Sequence, residues 1–128
     1  MTTNIHIRQT GDVTILDVSG HLSPAQAAAA GPGHGTALGD TVRDLTQKGQ
    51  KKILLNLAEV TYIDSSGIGQ LVSAMTTTRN QGGDLKLLRP NPRVLDLLKI
   101  TKLDAMFDIH TDETTAIQAF TRGAAARA

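Results

Sequence analysis

An α/β domain with a mixed sheet is the fold this chain predicts, and three features predict it. Ile53-Leu54-Leu55-Asn56-Leu57 is an apolar run of the kind carried by a central strand buried on both faces. After residue 36, strand-like and helix-like patterns alternate, so helices should cover most of the sheet. Ahead of that alternation, residues 4–19 look like a hairpin, which adds antiparallel pairing. At 128 residues the chain is one domain, large enough for a real core.

In the hairpin, Ile5 and Ile7 alternate with polar neighbours, Thr10-Gly11-Asp12 supplies the turn, residues 13–18 return, and Gly20 ends the strand. Residues 21–35 are unusually rich in Ala, Gly and Pro. Ser23 and Pro24 can open a short alanine helix that Gly31 closes. The piece Gly31-Pro32-Gly33-His34-Gly35 lacks the lysine and the preceding strand of a phosphate-binding loop, and Pro32 removes a donor. It reads as an extended surface loop.

Leu38, Val42 and Leu45 line a helix that Gly49 stops, and the strand at 52–57 follows. The next helix is predicted from about Ser66 to Gln81, with Ile68, Leu71, Val72 and Met75 inward and Gly82-Gly83 beyond its end. Residues 84–88 form a strand. Asn91 and Pro92 cap and start a helix carrying Val94, Leu97 and Leu98. Phe107-Asp108-Ile109 is a short strand, and Thr111 begins a last helix that buries Ala116, Ile117 and Phe120. The domain thus spans 1–122, and 123–128 is expected as a frayed tail.

Composition narrows the function. With no cysteine there is neither a disulfide framework nor a thiolate metal site. The N-terminus shows no basic or apolar leader pattern, and nothing reaches the roughly 18 apolar residues of a membrane span. A cytoplasmic protein without direct membrane contact is expected. Thirteen basic residues oppose twelve acidic ones, interspersed, and Tyr62, Phe107 and Phe120 are the only aromatics, a pattern unlike a nucleic-acid binder.

The chemistry concentrates in Val60-Thr61-Tyr62-Ile63-Asp64-Ser65-Ser66-Gly67-Ile68-Gly69, where a strand hands over to a helix. Catalysis by a serine there needs a base, and no spacing brings His6, His21, His34 or His110 to Ser66. The Gly-x-Ser-x-Gly elbow of hydrolases is absent, and no histidine pair has metal-ligand spacing. Neither a catalytic residue, a metal nor a cofactor is expected. A plain capping role suits Ser65 or Ser66, with Asp64 favouring the positive helix end. A serine exposed at that end also suits a phosphate switch, which adds about −1.5 to −2 charges in one step. The Thr76-Thr77-Thr78 run reads as a solvated helix face.

These residues carry a resemblance. Asn56-Leu57, the stretch from Val60 to Gly69, and Gly82-Gly83-Asp84-Leu85-Lys86-Leu87 resemble the STAS domain of bacterial anti-sigma factor antagonists. Residues 94–103 and Phe107-Asp108-Ile109 extend the match. The resemblance implies a single domain whose mixed sheet has its helices packed mainly on one face. It implies that Ser66 is phosphorylated by an anti-sigma factor that is itself an ATP-dependent serine kinase. Unphosphorylated, such a protein holds the anti-sigma factor and promotes sigma-factor-dependent transcription, as in stress responses; a metal-dependent serine phosphatase resets it. By the same resemblance Asp64, Ser65, Ser66, Gly67, Ile68 and Gly69 form the partner-binding segment. The family's connection after the second strand is usually shorter than residues 23–35 make it here. A non-switching scaffold subunit of a stress-signalling or lipid-transport assembly is the alternative, and a serine-dependent enzyme a weaker one.

Overall fold

The computed structural model describes residues 3–22 and 37–127. The short helix and glycine-rich loop expected within 23–35 lie outside the described residues. The elements are β1 (Thr3–Thr10), β2 (Val13–Leu22), α1 (Ala37–Gln47), β3 (Lys52–Ile63), α2 (Ser65–Asn80), β4 (Asp84–Leu88), α3 (Pro92–Ile100), β5 (Asp108–His110) and α4 (Glu113–Arg127). They form one five-stranded sheet ordered β1-β2-β3-β4-β5. The first pair is antiparallel and the other three are parallel, so the sheet is mixed as predicted.

The one-sided helix layer follows from handedness. Each step from β2 to β5 moves to the next strand in the same direction, and right-handed crossovers then place every connecting helix on the same face. There Leu38 and Val42 of α1, Ile68, Leu71 and Met75 of α2, and Val94 and Leu98 of α3 meet Leu55, Leu57, Leu85 and Leu87 of the sheet. The final helix, α4, has no strand to return to and covers the opposite face. Its Ala116 and Phe120 pack on Val13, Ile15, Leu54 and Leu88 in a smaller second core. Strand β3 lies between the two cores, and Ile53, Leu54 and Leu55 are all fully buried.

A lysine occupies the α4 side. Lys86 is almost wholly buried, with Nζ 2.8 Å from Asp108 Oδ2, 3.4 Å from Asp84 Oδ2 and 5.1 Å from the centre of the Phe120 ring. Two carboxylates and an aromatic face offset the cost of taking that charge out of water.

Several boundaries differ from those the sequence suggests. Gly20 does not end β2, which continues to Leu22, and β3 runs to Ile63 instead of stopping at Leu57. The last strand is shifted by one residue to Asp108–His110, with Phe107 buried just ahead of it. The last helix starts two residues after Thr111, because the Asp112 carboxylate accepts the Thr115 N–H at 2.9 Å and its carbonyl accepts the Ala116 N–H. It stays helical past Gly123 as far as Arg127, where the sequence placed the start of a tail. Thr78 is not solvated: it is fully buried, its hydroxyl donating to the Ala74 carbonyl at 2.8 Å.

Leu55 is fully buried in the larger core. Leu55→Ala should lower the unfolding free energy by about 2–5 kcal/mol, read from the midpoint of urea unfolding at unchanged slope.

Candidate functional site

The end of β3 abandons the two-residue period of a strand. From Leu57 onward its buried residues are Leu57, Val60 and Ile63, with an exposed pair after each of the first two. The pairing with β2 shows how this happens. Asp17 lies opposite Asn56 and Leu22 opposite Ile63, so β2 advances five residues while β3 advances seven. Two register shifts absorb the difference, one between Asp17 and Ser19 and one between Gly20 and His21. Such shifts bend a strand and re-aim its side chains. At the second shift Gly20 has φ +90°, a region open to glycine, and its carbonyl accepts the Thr61 hydroxyl at 3.2 Å. Two-residue alternation does not announce the shifts; the three-residue spacing of Leu57, Val60 and Ile63 was the signal.

This bend delivers the chain to Asp64. That residue is extended, with φ −126° and ψ −171°, and it caps α2: its Oδ1 accepts the Gly67 N–H at 3.0 Å. Its carbonyl accepts the Ile68 N–H, also at 3.0 Å. The cap is therefore the aspartate, and Ser65 and Ser66 are the first two helical residues instead of the capping candidates the sequence offered. With the first turn held this way, a start as rich in glycine as Ser66-Gly67-Ile68-Gly69 can still propagate.

The predicted partner-facing residues do not all reach the surface. Ser66 and Gly69 are exposed and Asp64 is half-buried, whereas Gly67 is buried. Ile68 is turned into the larger core, so it supports the segment from below and corrects the expectation of direct contact. A side chain built at Gly69 would meet nothing within 4 Å, so this surface is open at that point.

Beside the segment, an open groove of about 560 Å³ separates Ala58–Thr61 from the first turn of α3, with Glu59, Arg93 and Asp96 on its walls. Sequence reasoning gave these three residues no role. Asn91 spans the groove's floor: its Oδ1 accepts the Val94 N–H at 3.1 Å, and its Nδ2 donates to the Val60 carbonyl. Tyr62, part exposed, leans on the His21 ring with centroids 5.3 Å apart. His6 and His110 lie on β1 and β5, the two edges of the sheet, while Ser66 follows the central strand. His110 contacts Asp108 at 2.8 Å. Among the described residues no cluster of His, Asp or Glu could hold a metal, and no helix is long and apolar enough to cross a membrane.

This fold and this capped serine segment can be set beside known proteins. The STAS domain profile matches residues 4–116. The chain belongs to the STAS domain family. Among relatives of this STAS protein, the TM1081 homologue of Thermotoga neapolitana is 36% identical over 75 residues, 59% of this chain and 66% of that protein. The match thus spans just under two thirds of that relative's length. The anti-sigma-B factor antagonist of Bacillus subtilis is 25% identical over 118 residues, 92% of this chain and all of that protein. The crystal structure of TM1081 from Thermotoga maritima superposes with a TM-score of 0.77 at 27% identity, covering 91% of this chain and 94% of that one.

On the face opposite α2, the STAS sheet carries a polar ladder beneath the bend. Arg8 Nε donates to Asp17 Oδ2 at 2.5 Å, and Arg8 Nη2 donates to Glu113 Oε1 at 2.8 Å. Asn56 Nδ2 donates to Asp17 Oδ1 at 2.8 Å. The hydrogen bond from Arg8, joined by that from Asn56, holds the Asp17 carboxyl below its ordinary value of 3.8 despite part burial.

Two outcomes follow. Asp64→Ala should cost about 1 kcal/mol of stability, and Asp64→Asn only a few tenths, in paired denaturation curves. Because the folded Asp17 pKa is depressed, its contribution is complete above the unfolded value near 3.8 and is lost as pH falls through the folded one. Wild type should therefore lose stability below about pH 4 more steeply than Asp17→Asn, which starts less stable, in acid titrations followed by circular dichroism.

Proposed function

We propose that this STAS domain is a regulatory binding protein, not an enzyme, and that it acts in the cytoplasm as an anti-sigma factor antagonist. It holds an anti-sigma factor that is also an ATP-dependent serine kinase. Phosphorylation of Ser66 releases that partner, and a serine phosphatase restores binding. The observation that carries the reading is the division at the start of α2. Ser66 is exposed, while Gly67 and Ile68 beside it are buried and the backbone between them is tied to Asp64.

Charge added at Ser66 thus alters the surface without unseating the helix. About −1.5 to −2 charges placed at an open surface oppose docking, because a partner would have to strip water from them. The name of the Bacillus subtilis relative points the same way.

Wild-type, Ser66→Ala and Ser66→Asp baits in host lysate test this, with bound proteins identified by mass spectrometry. A kinase-type anti-sigma factor should be retained by the first two and fall at least tenfold with Ser66→Asp. Equal retention by all three would mean that charge at this position does not gate binding, and a non-switching scaffold would replace the antagonist.

A further inference from the structure

The first register shift has a side chain built into it. Asn56 bridges two groups at once: its Oδ1 accepts the Ala58 N–H at 3.2 Å, and its Nδ2 donates to Asp17 Oδ1 at 2.8 Å. An ionised carboxylate offers no donor, so Asp17 fixes which end of the carboxamide it takes. The carbonyl end is left facing residue 58. Asp17 is itself held by Arg8, and Arg8 by Glu113 at the start of α4. A side chain bonding the N–H two residues on draws the backbone into a local turn, in competition with the sheet ladder. The turn falls where β3 gains its first extra residue on β2.

The consequence is a change of face. Without the extra residue, the period of two from Leu57 would send Glu59 and Thr61 inward and leave Val60 outward. Over that stretch the observed strand does the reverse: Val60 is 1% exposed, with Glu59 and Thr61 outside, and the second shift then restores the original face, so that Ile63 is inward again. The strand's path beyond Ala58, and with it the position of Asp64 and the first turn of α2, starts from that displaced backbone. Further along, Thr61 and Asn91 hold the second shift from either side.

We infer that Asn56 is a positioning residue: by turning β3 at Ala58 it aims the Asp64–Gly69 segment out of the sheet. That Ser66 is a phosphoacceptor rests on the reading above, while the positioning rests on geometry alone. The competing explanation is that burial of Leu57, Val60 and Ile63 sets the bend unaided. In that case Asn56 merely fits a turn already made.

Amide NMR of the full chain separates the two. In Asn56→Ala the Ala58 amide should exchange roughly tenfold faster, the value for loss of one modest hydrogen bond. The amide signals of Ser66 and Gly67 should move, while those of Leu85 and Leu87 stay. The paired exchange Asp17→Asn with Asn56→Asp keeps one carboxamide and one carboxylate between the strands, and should return the Ser66 and Gly67 signals to their wild-type positions. Faster exchange at Ala58 with Ser66 and Gly67 unmoved would overturn the inference. So would displaced Ser66 and Gly67 signals in a folded paired variant, a comparison that stands even if Asn56→Ala does not fold. An Asn56→Ala bait, run beside the Ser66 baits, should also retain several-fold less anti-sigma factor. If Ser66→Asp leaves retention unchanged, the antagonist reading fails while the amide result stands.

Discussion

Three side chains, Leu57, Val60 and Ile63, have to stay in the core after β3 has lost its neighbour. Pairing with β4 covers β3 only from Lys52 to Asn56. Beyond that point β3 has a strand on one side alone, yet it continues for seven residues before α2 begins. Burying every third residue instead of every second satisfies the core there, at the expense of a regular ladder with β2. The exposed pairs that result, and the aspartate to which the strand delivers the chain, are products of that compromise. The surface next to Ser66 is thus shaped from beneath, by what the core requires of β3 together with the turn that Asn56 makes at Ala58.

How much of this was legible in the sequence depended on how local the cause was. The helices carried by Leu38 and Val42, by Leu71 and Met75, and by Val94 and Leu98 were readable, because a helix face repeats within a few residues. Asn91 as a cap was readable from its place before Pro92. The length of β3 was not, since its second half follows neither period and looks like a loop when read by alternation alone. Lys86 was hidden for a different reason. Its burial depends on Asp108 and Phe120, which are distant in sequence and reach it only across the folded sheet.

Ser66 was singled out from the residues around it and lies exposed, but its neighbours were read too generously. In Gly67-Ile68-Gly69, consecutive residues on a helix point about 100° apart, so three in a row cannot share one exposed face. Ile68 was bound to turn inward once Ser66 turned outward. The aspartate, grouped with the contact residues, has a second duty that spacing could not separate from the first. It already occupies the Gly67 N–H, so a phosphate on Ser66 would compete with a resident carboxylate for the same helix end.

The second core sets an order of failure. The helix α4 rests on a patch much smaller than the one beneath α1–α3, secured at its start by the Arg8–Glu113 pair and further along by Phe120 above Lys86. A patch of that size anchors a helix less firmly than the main core anchors the sheet, so α4 belongs among the parts that open first. Its release would bare Leu54 and Leu88, two aliphatic side chains in the middle of a sheet, and leave Lys86 facing water. A protein in this opened state would be prone to self-association through its sheet face, while the Ser66 side of the molecule kept its shape.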